Sequence, residues 1–152
     1  MEIRRAREGE AAALTALART SKAHWPYTAE QIEAWREDLA ISRDDIAATP
    51  VFLAEINGRV AGFYQLLPIG ETWVLEHMWV LPEQMGKGIG RALLQHATRL
   101  AGEGGARHIS IDADPYAEPF YRACGANTVA VKSAPVPSMP QRVRPQMLLA
   151  AR

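Results

Sequence analysis

Residues 73–94 constrain the fold of this chain more than any other stretch. They read WVLEHMWVLPEQMGKGIGRALL, in which an apolar and aromatic run ends near Pro82 and is followed by three alternating glycines and then by good helix formers. This order predicts a strand, a glycine loop and a helix. Such a loop aims successive N–H groups, together with the positive end of the helix dipole, at one point where a phosphate can bind. Glycine is needed because a Cβ would block close approach or positive φ angles.

Two common glycine-loop motifs do not fit these residues. The dinucleotide fingerprint G-x-G-x-x-G needs a third glycine where this chain has Arg91, and no second βαβ unit follows. The P-loop needs a Gly-Lys-Ser/Thr ending, whereas Lys87 stands between two glycines. A dinucleotide-binding module and a P-loop protein are therefore both disfavoured.

A third motif does fit. The acetyl-CoA signature of the GCN5-related N-acetyltransferase (GNAT) family resembles one segment of this chain, Val80-x-Pro82 followed by Gly86-x-Gly88-Ile89-Gly90-Arg91-Ala92-Leu93-Leu94. One position departs from the signature, because Met85 stands where the family has Arg or Gln. The resemblance extends over nearly the whole chain.

Composition agrees with a globular protein. The 152 residues suit one domain, 1–152, and the apolar share of 48% with a charged share of 22% excludes a disordered chain. Lys plus Arg equals Asp plus Glu, at 17 each, so no basic surface for nucleic acid or an anionic membrane is expected. A single cysteine, Cys124, fits a reducing compartment, and no run resembles a signal peptide or a membrane span. We expect a cytoplasmic protein, and a homodimer is left open.

Helices are predicted in the first third of the chain and strands mainly after it. Thr28 with Gln31 forms a capping box, and Asn57-Gly58 is a strong hairpin signal. Helical patterns cover 8–19, the segment after Thr28, a turn that opens at Ser42 or Arg43, 89–100 and 115–123; strand patterns cover 2–6, 51–56, 60–67, 73–81, 107–113, 128–132 and 142–149. The last strand is predicted at a sheet edge because Pro145 lacks an N–H.

This order predicts an α+β or mixed α/β fold with helices on both faces of a sheet. The resemblance implies, more specifically, a central, mostly antiparallel sheet of six to seven strands, splayed at the fourth and fifth strands. The strand Trp73–Leu81 is predicted to be central, with both faces covered.

Two ionisable residues occupy this strand, Glu76 on one face and His77 on the other. On a covered face each costs free energy unless it is paired or functional. Glu76 is therefore a candidate general base, and His77 a candidate substrate-binding residue. In the alternative interpretation Glu76 pairs with a basic residue such as Arg107 or Arg142, and His77 only satisfies a hydrogen bond.

The resemblance assigns the cofactor contacts. On the Trp73–Leu81 strand the cofactor-binding residues would be Met78, Trp79 and Val80. The main chain of Met78 and Val80 would bond the pantetheine arm and polarise the thioester carbonyl, an oxyanion-type effect. The pyrophosphate would bind N–H groups along Gly86, Lys87, Gly88, Ile89, Gly90 and Arg91, with Lys87 and Arg91 adding charge. Met85 would lose only a side-chain contact, because its N–H remains. Alternatively, Lys87 and Arg91 are simply solvated residues at a helix start.

Residues 112–126 resemble a later motif of the same family. Phe120-Tyr121 and Gly125-Ala126 match it, while Tyr116 or Asp114 replaces an Asn that touches the cofactor arm in the family. Tyr121 is the natural general acid, since a phenol donates a proton to the departing thiolate. In the alternative interpretation Tyr121 is a core aromatic residue with a satisfied hydroxyl.

The acceptor pocket of this family is lined by the first two helices and the tail. Here those segments supply His24, Trp25, Tyr27, Trp35 and Arg142, although an aromatic-rich loop also serves to cap a core. The sequence predicts no activating group for Cys124, which argues against a covalent route.

The resemblance therefore implies an acetyl-CoA-dependent N-acetyltransferase without a metal. It would transfer the acetyl group directly to a primary amine of a small molecule or peptide. The alternative is a non-catalytic acyl-CoA-binding sensor with the same fold.

Overall fold

A computed structural model describes residues 1–152 of the chain. The strands are β1 (Glu2–Arg5), β2 (Val51–Ile56), β3 (Arg59–Leu67), β4 (Thr72–Val80), β5 (His108–Asp112), β6 (Asn127–Ser133) and β7 (Val143–Ala150). The helices are α1 (Ala11–Lys22), α2 (Ala29–Ala34), α3 (Arg36–Leu39), α4 (Arg43–Ala48), α5 (Ile89–Glu103) and α6 (Glu118–Ala123), with 3₁₀ turns at Glu8–Glu10 and Pro82–Gln84.

The sheet has the strand order β1-β2-β3-β4-β5-β7-β6. Its pairs β1–β2, β2–β3, β5–β7 and β6–β7 are antiparallel, and β4–β5 is parallel. The predicted α+β class, with a mostly antiparallel sheet, is confirmed. The parallel pairing joins Thr72–Leu75 to His108–Ile111, which is the first part of β4 only. No helix is long and apolar enough to cross a membrane.

One compact unit comprises residues 1–66 and 77–93. Local signals set its elements: the Thr28 hydroxyl accepts the Gln31 N–H at 3.1 Å, and a reciprocal capping box joins Ser42 and Asp45. Asn57 and Gly58 have φ angles of 52° and 77°, as a tight hairpin turn requires. The core of this unit is made of buried apolar residues from α1, α2, α4, β2 and β3, among them Leu14, Ala18, Ile32, Ile46, Leu53 and Phe63.

The second unit comprises residues 67–76 and 94–152. Its sheet buries alternate residues of β5 and β7, namely Ile109, Ile111, Met147 and Leu149. The short helix α6 has Pro119 in its first turn, as predicted, and Gly125 follows its end with a φ of 99°.

The predicted edge position of the last strand is wrong. β7 lies between β5 and β6, so β6 forms the edge. Pro145 is tolerated because its carbonyl accepts the Ala113 N–H at 2.9 Å, one residue beyond the end of β5. In an antiparallel pair the N and O of one residue point to the same neighbour. The missing N–H therefore faces the place where β5 leaves the sheet.

The predicted burial of both faces of the Trp73–Leu81 strand is also wrong. β4 is indeed the fourth of seven strands, and Leu75 and His77 are buried. Glu76 is nevertheless exposed. A carboxylate at this position needs no buried partner, because water solvates it.

Candidate active site

The glycine loop joins β4 to α5 through a 3₁₀ turn. The Gln84 N–H donates to the Leu81 carbonyl at 2.9 Å, and the Met85 N–H donates to the Pro82 carbonyl at 3.2 Å. Gly86 and Gly88 then adopt φ angles of 77° and 84°. A Cβ built on either glycine would meet no atom within 4 Å. The left-handed backbone explains the glycines, and the open space beside them is what a close-lying ligand would need.

Helix α5 begins directly after these glycines. The Ala92 N–H donates to the Gly88 carbonyl at 3.0 Å, the first bond of the helix. In the first turn of an α-helix the N–H groups have no carbonyl of the same helix to bind, which makes this end attractive to an anion. Ile89 anchors the helix start at 2% exposure.

The remaining loop residues differ in how they are placed. Gly86, Lys87, Gly88 and Arg91 are exposed, while Met85 and Gly90 are half-buried. The expectation that the Met85 N–H remains available is wrong, because the 3₁₀ turn uses it. The turn forms because Pro82 opens it with a suitable fixed φ.

The second half of β4 carries a buried histidine. His77 is 5% exposed, and its Nδ1 accepts the indole N–H of Trp79 at 2.9 Å. Burial, the largest cause, lowers the pKa of His77, while a hydrogen bond with the Ala40 main chain and the charge of Asp45 act in the opposite direction. The ring is therefore neutral at neutral pH and serves Trp79, while Met78 and Val80 on either side of that tryptophan are half-buried.

An unpredicted residue, Lys22, lies beside the same tryptophan. Its Nζ is 4.7 Å from the ring centroid of Trp35, 5.3 Å from that of Tyr27 and 5.8 Å from that of Trp79. The residue is only 4% exposed. The Tyr27 and Trp35 rings meet edge to face at 4.9 Å. We call Lys22 with these three rings the lysine cage.

Two other predicted acceptor residues form a separate pair. His24 is exposed and Trp25 half-buried, and their rings meet edge to face at 4.8 Å. They lie in the turn after α1, where the Tyr27 N–H donates to the Trp25 carbonyl at 2.7 Å.

In the second unit, Tyr121 is 6% exposed, and its ring meets the half-buried Phe120 edge to face at 5.2 Å. Burial raises the pKa of Tyr121, and the Asp114 carboxylate acts in the same direction against the opposing charge of Arg144. The hydroxyl is therefore protonated at neutral pH, the form that can donate.

Arg142 and Asp114 form a buried ion pair in this unit. Arg142 Nη2 lies 3.3 Å from Asp114 Oδ2, with side-chain exposures of 3% and 8%. Arg142 Nη1 also donates to the Ala134 carbonyl at 3.1 Å, and the Tyr116 N–H donates to Asp114 Oδ1 at 2.8 Å. Tyr116 itself is exposed. The predicted acceptor residue Arg142 thus holds the main chain at Ala134, directly before the segment that contains Pro135, Pro137 and Pro140.

Glu76 does not have the partner that the alternative interpretation gave it. Arg142 pairs with Asp114, and Arg107 Nε lies 3.7 Å from Glu71 Oε1 at the surface. The exposed Glu76 carboxylate stays accessible to a proton donor from solvent or substrate.

Known proteins resemble this chain in both sequence and fold. Residues 14–126 match the profile described as the Acetyltransferase (GNAT) family. YhfO of Bacillus subtilis, an uncharacterized N-acetyltransferase, is 28% identical over 120 residues, which cover 75% of this chain and 79% of YhfO.

Solved structures share the whole fold at lower identity. The PaiA N-acetyltransferase from Thermoplasma acidophilum in complex with coenzyme A gives a TM-score of 0.81 at 21% identity, covering 98% of each chain. The ribosomal-protein-S18-alanine N-acetyltransferase from Escherichia coli gives a TM-score of 0.75 at 17% identity, covering 99% of this chain and 93% of that one. These likenesses confirm the predicted fold.

Proposed function

This chain belongs to the Acetyltransferase (GNAT) family, and from that premise we propose that it transfers an acetyl group from acetyl-CoA directly to a primary amine. The acceptor would be a small molecule or the amine of a peptide. We also propose that residues 1–152 form one N-acetyltransferase domain, and that it acts in the cytoplasm, which suits a chain whose one cysteine, Cys124, can form no internal disulfide.

The open glycine loop is the observation that carries this proposal. Gly86 and Gly88 combine positive φ angles with free space where a Cβ would lie. The N–H groups from Gly86 to the first turn of α5 would hold the pyrophosphate, and exposed Lys87 and Arg91 would add charge. The relative from Thermoplasma acidophilum, which has the same fold, was solved in complex with coenzyme A.

The main chain of β4 would bind the rest of the cofactor. Met78 and Val80 are half-buried, and the strand beside them is held by hydrogen bonding to β3, in which the Leu81 N–H donates to the Ala61 carbonyl at 2.9 Å. A main-chain N–H donor on a hydrogen-bonded strand is positioned in advance to stabilise the charge that develops on a thioester oxygen. Tyr116 and Phe120 are proposed to contact the arm.

Two side chains are proposed to move protons. Glu76 would take a proton from the attacking amine, directly or through a water, while the new C–N bond forms. Tyr121 would give its proton to the departing sulfur as the C–S bond breaks, and would then recover a proton from solvent. The raised pKa of Tyr121 keeps the donor form present throughout the neutral range.

His24, Trp25 and Tyr27 are proposed to contact the acceptor. His24 is exposed, and Trp25 and Tyr27 are half-buried, in the turn after α1. The sequence also predicted His77 and Arg142 as substrate-binding residues, and both use polar atoms inside the protein, His77 toward Trp79 and Arg142 toward Asp114.

A non-catalytic acyl-CoA sensor is the second candidate, and the burial of Tyr121 favours it. Turnover separates the two candidates. Release of free CoA should be followed with a thiol reagent over a panel of amines, amino acids and peptides. Release that depends on an amine supports the enzyme, whereas binding of acetyl-CoA without release by any amine supports the sensor.

Binding is tested first, by thermal shift and calorimetry with acetyl-CoA, CoA and NADH. A ligand at 100 times its Kd stabilises the folded protein by about 2.7 kcal/mol. We expect stabilisation by both CoA species and none by NADH. Failure of acetyl-CoA to stabilise the protein at millimolar concentration would refute the proposal.

The role of Tyr121 is tested by Tyr121→Phe, with Tyr64→Phe as the control at a second buried tyrosine. We expect Tyr121→Phe to lower kcat by about 10²–10⁴-fold, the usual contribution of a general acid, with little change in the Kd of CoA. Tyr64→Phe should leave both unchanged. An unchanged kcat in Tyr121→Phe would mean that Tyr121 is a packing residue and not the general acid.

A further inference from the structure

We propose that Lys22 is a positioning residue, which fixes the indole of Trp79 and thereby sets the main chain of Met78 and Val80. The inference rests on the proposed function, because those two residues are the proposed contacts of the cofactor arm. It concerns a residue of α1 that carries none of the proposed chemistry itself.

The lysine cage supplies the first half of the evidence. The Lys22 ammonium lies 4.7 to 5.8 Å from three ring centroids, within the distance at which a cation is attracted to an aromatic face. Tyr27 and Trp35 come from the turn after α1 and the end of α2, whereas Trp79 comes from β4. The cation therefore ties the strand to the helical layer.

The hydrogen bond of Trp79 supplies the second half. The indole N–H donates to His77 Nδ1 at 2.9 Å, and the buried His77 also bonds the Ala40 main chain. One cation at the ring and one acceptor at the ring edge together restrict the rotation of the indole.

The main chain at the same place is held from the other strand. A Cβ on Gly62 of β3 would lie 2.7 Å from the Trp79 carbonyl oxygen and 3.2 Å from the Val80 side chain. The two strands thus approach more closely than any other residue type would allow. The Trp79 side chain is held by Lys22 and His77, and its carbonyl lies close to Gly62. These contacts restrict the movement of Trp79 and therefore of the main chain on either side of it.

Packing alone would not select lysine here. Position 22 follows Leu14 and Ala18 on the buried stripe of α1, where leucine or methionine would fill the space without the desolvation cost of an ammonium. Lysine at this position adds attraction to three rings at once. The charge is therefore suited to orienting aromatic side chains.

The test compares Lys22→Met, which keeps the length and removes the charge, with Lys22→Arg, which keeps a cation. Arg19→Met is the matched control, because Arg19 lies one turn earlier on α1 with 39% of its side chain exposed. The Kd of CoA is measured by calorimetry well below the unfolding temperature, together with KM for acetyl-CoA, kcat and the near-ultraviolet tryptophan circular dichroism.

We expect Lys22→Met to raise the Kd of CoA and KM for acetyl-CoA by about tenfold, the scale of one desolvated cation–π contact, and to weaken the tryptophan signal. Lys22→Arg should recover most of the affinity, and Arg19→Met should resemble the unsubstituted protein. If Lys22→Met does not fold, Trp79→Phe, which removes the bond to His77, should raise the same Kd.

Two results would overturn the inference. A Lys22→Met protein that unfolds at lower temperature but binds CoA with unchanged affinity would give Lys22 a structural role only, and an unchanged Kd in Trp79→Phe would do the same. If the unsubstituted protein does not bind CoA, the proposed function is refuted, and this inference with it.

Discussion

Gly86→Ala isolates the backbone requirement of the glycine loop. Gly86 has a φ of 77°, so alanine there would be held in the left-handed region at a cost of about 1–2 kcal/mol. No atom lies within 4 Å of the new Cβ, so strain is the only expected cost to folding. For a chain of this size each kcal/mol lowers Tm by about 2–4 °C. We therefore expect a Tm lower by about 2–8 °C and an otherwise folded protein.

The effect on binding should be separate and larger. If the space beside Gly86 receives the pyrophosphate, the methyl group occupies part of it, and overpacking of a fitted contact costs about 1–3 kcal/mol. That range corresponds to roughly a 5- to 150-fold rise in the Kd of CoA. Calorimetry with CoA at a temperature where the variant is fully folded gives the number directly.

Gly58→Ala is the matched control. Gly58 also has a φ of 77° and no atom within 4 Å of a Cβ, but it lies in the β2–β3 hairpin. Both variants should lose similar stability, and only Gly86→Ala should lose affinity for CoA. Equal CoA affinities in the two variants would refute the assignment of the glycine loop as the phosphate site.

Three further predictions concern the framework. Gly62→Ala should lower the free energy of unfolding by about 1–3 kcal/mol in urea titration, because its Cβ would lie 2.7 Å from the Trp79 carbonyl oxygen; an unaffected midpoint would mean that the strands separate freely. Asp114→Ala should cost about 3–5 kcal/mol in the same assay, since it leaves the Arg142 guanidinium buried without this carboxylate, and a loss below 1 kcal/mol would contradict that pairing. The pKa of His77 in the folded protein lies below its ordinary value of 6.5, so the unfolded chain binds more protons below that pH. The contribution of His77 to stability is therefore complete above pH 6.5 and declines as the pH falls. His77→Gln should remove this part of the pH dependence of the urea midpoint between pH 7 and 5.

Much of the fold could be predicted because its signals are local. Each of four signals determines the backbone within a few residues: Thr28, the Ser42 turn, Asn57-Gly58 and the Gly86–Gly88 loop. The observed elements begin or end close to the predicted positions. The place of the last strand depended on long-range pairing instead. Pro145 excludes an N–H bond on one side only, and the sequence does not reveal that β5 ends opposite it.

The candidate site divides in the same way. The glycine loop was predicted because a main-chain site needs only the glycines that let the chain turn. The exposure of Glu76 and the use of the Met85 N–H within its turn depended on neighbouring structure. Arg142 pairs with Asp114, which lies 28 residues away in the sequence. A separation of that length gives no local pattern from which the pair could be predicted.

Lys22 shows which kind of site remains hidden in a sequence. A lysine on the buried stripe of α1 is a visible irregularity, but its meaning depends on rings from three separate positions, 27, 35 and 79. A cradle of main-chain N–H groups tolerates changes of side chain, such as Met85, as long as the glycines keep their conformation. The lysine cage has the opposite property, since each member contributes through its side chain alone. Substitution should therefore affect the two parts of the site differently: added bulk should damage the glycine loop, and loss of charge or of an aromatic ring should damage the lysine cage.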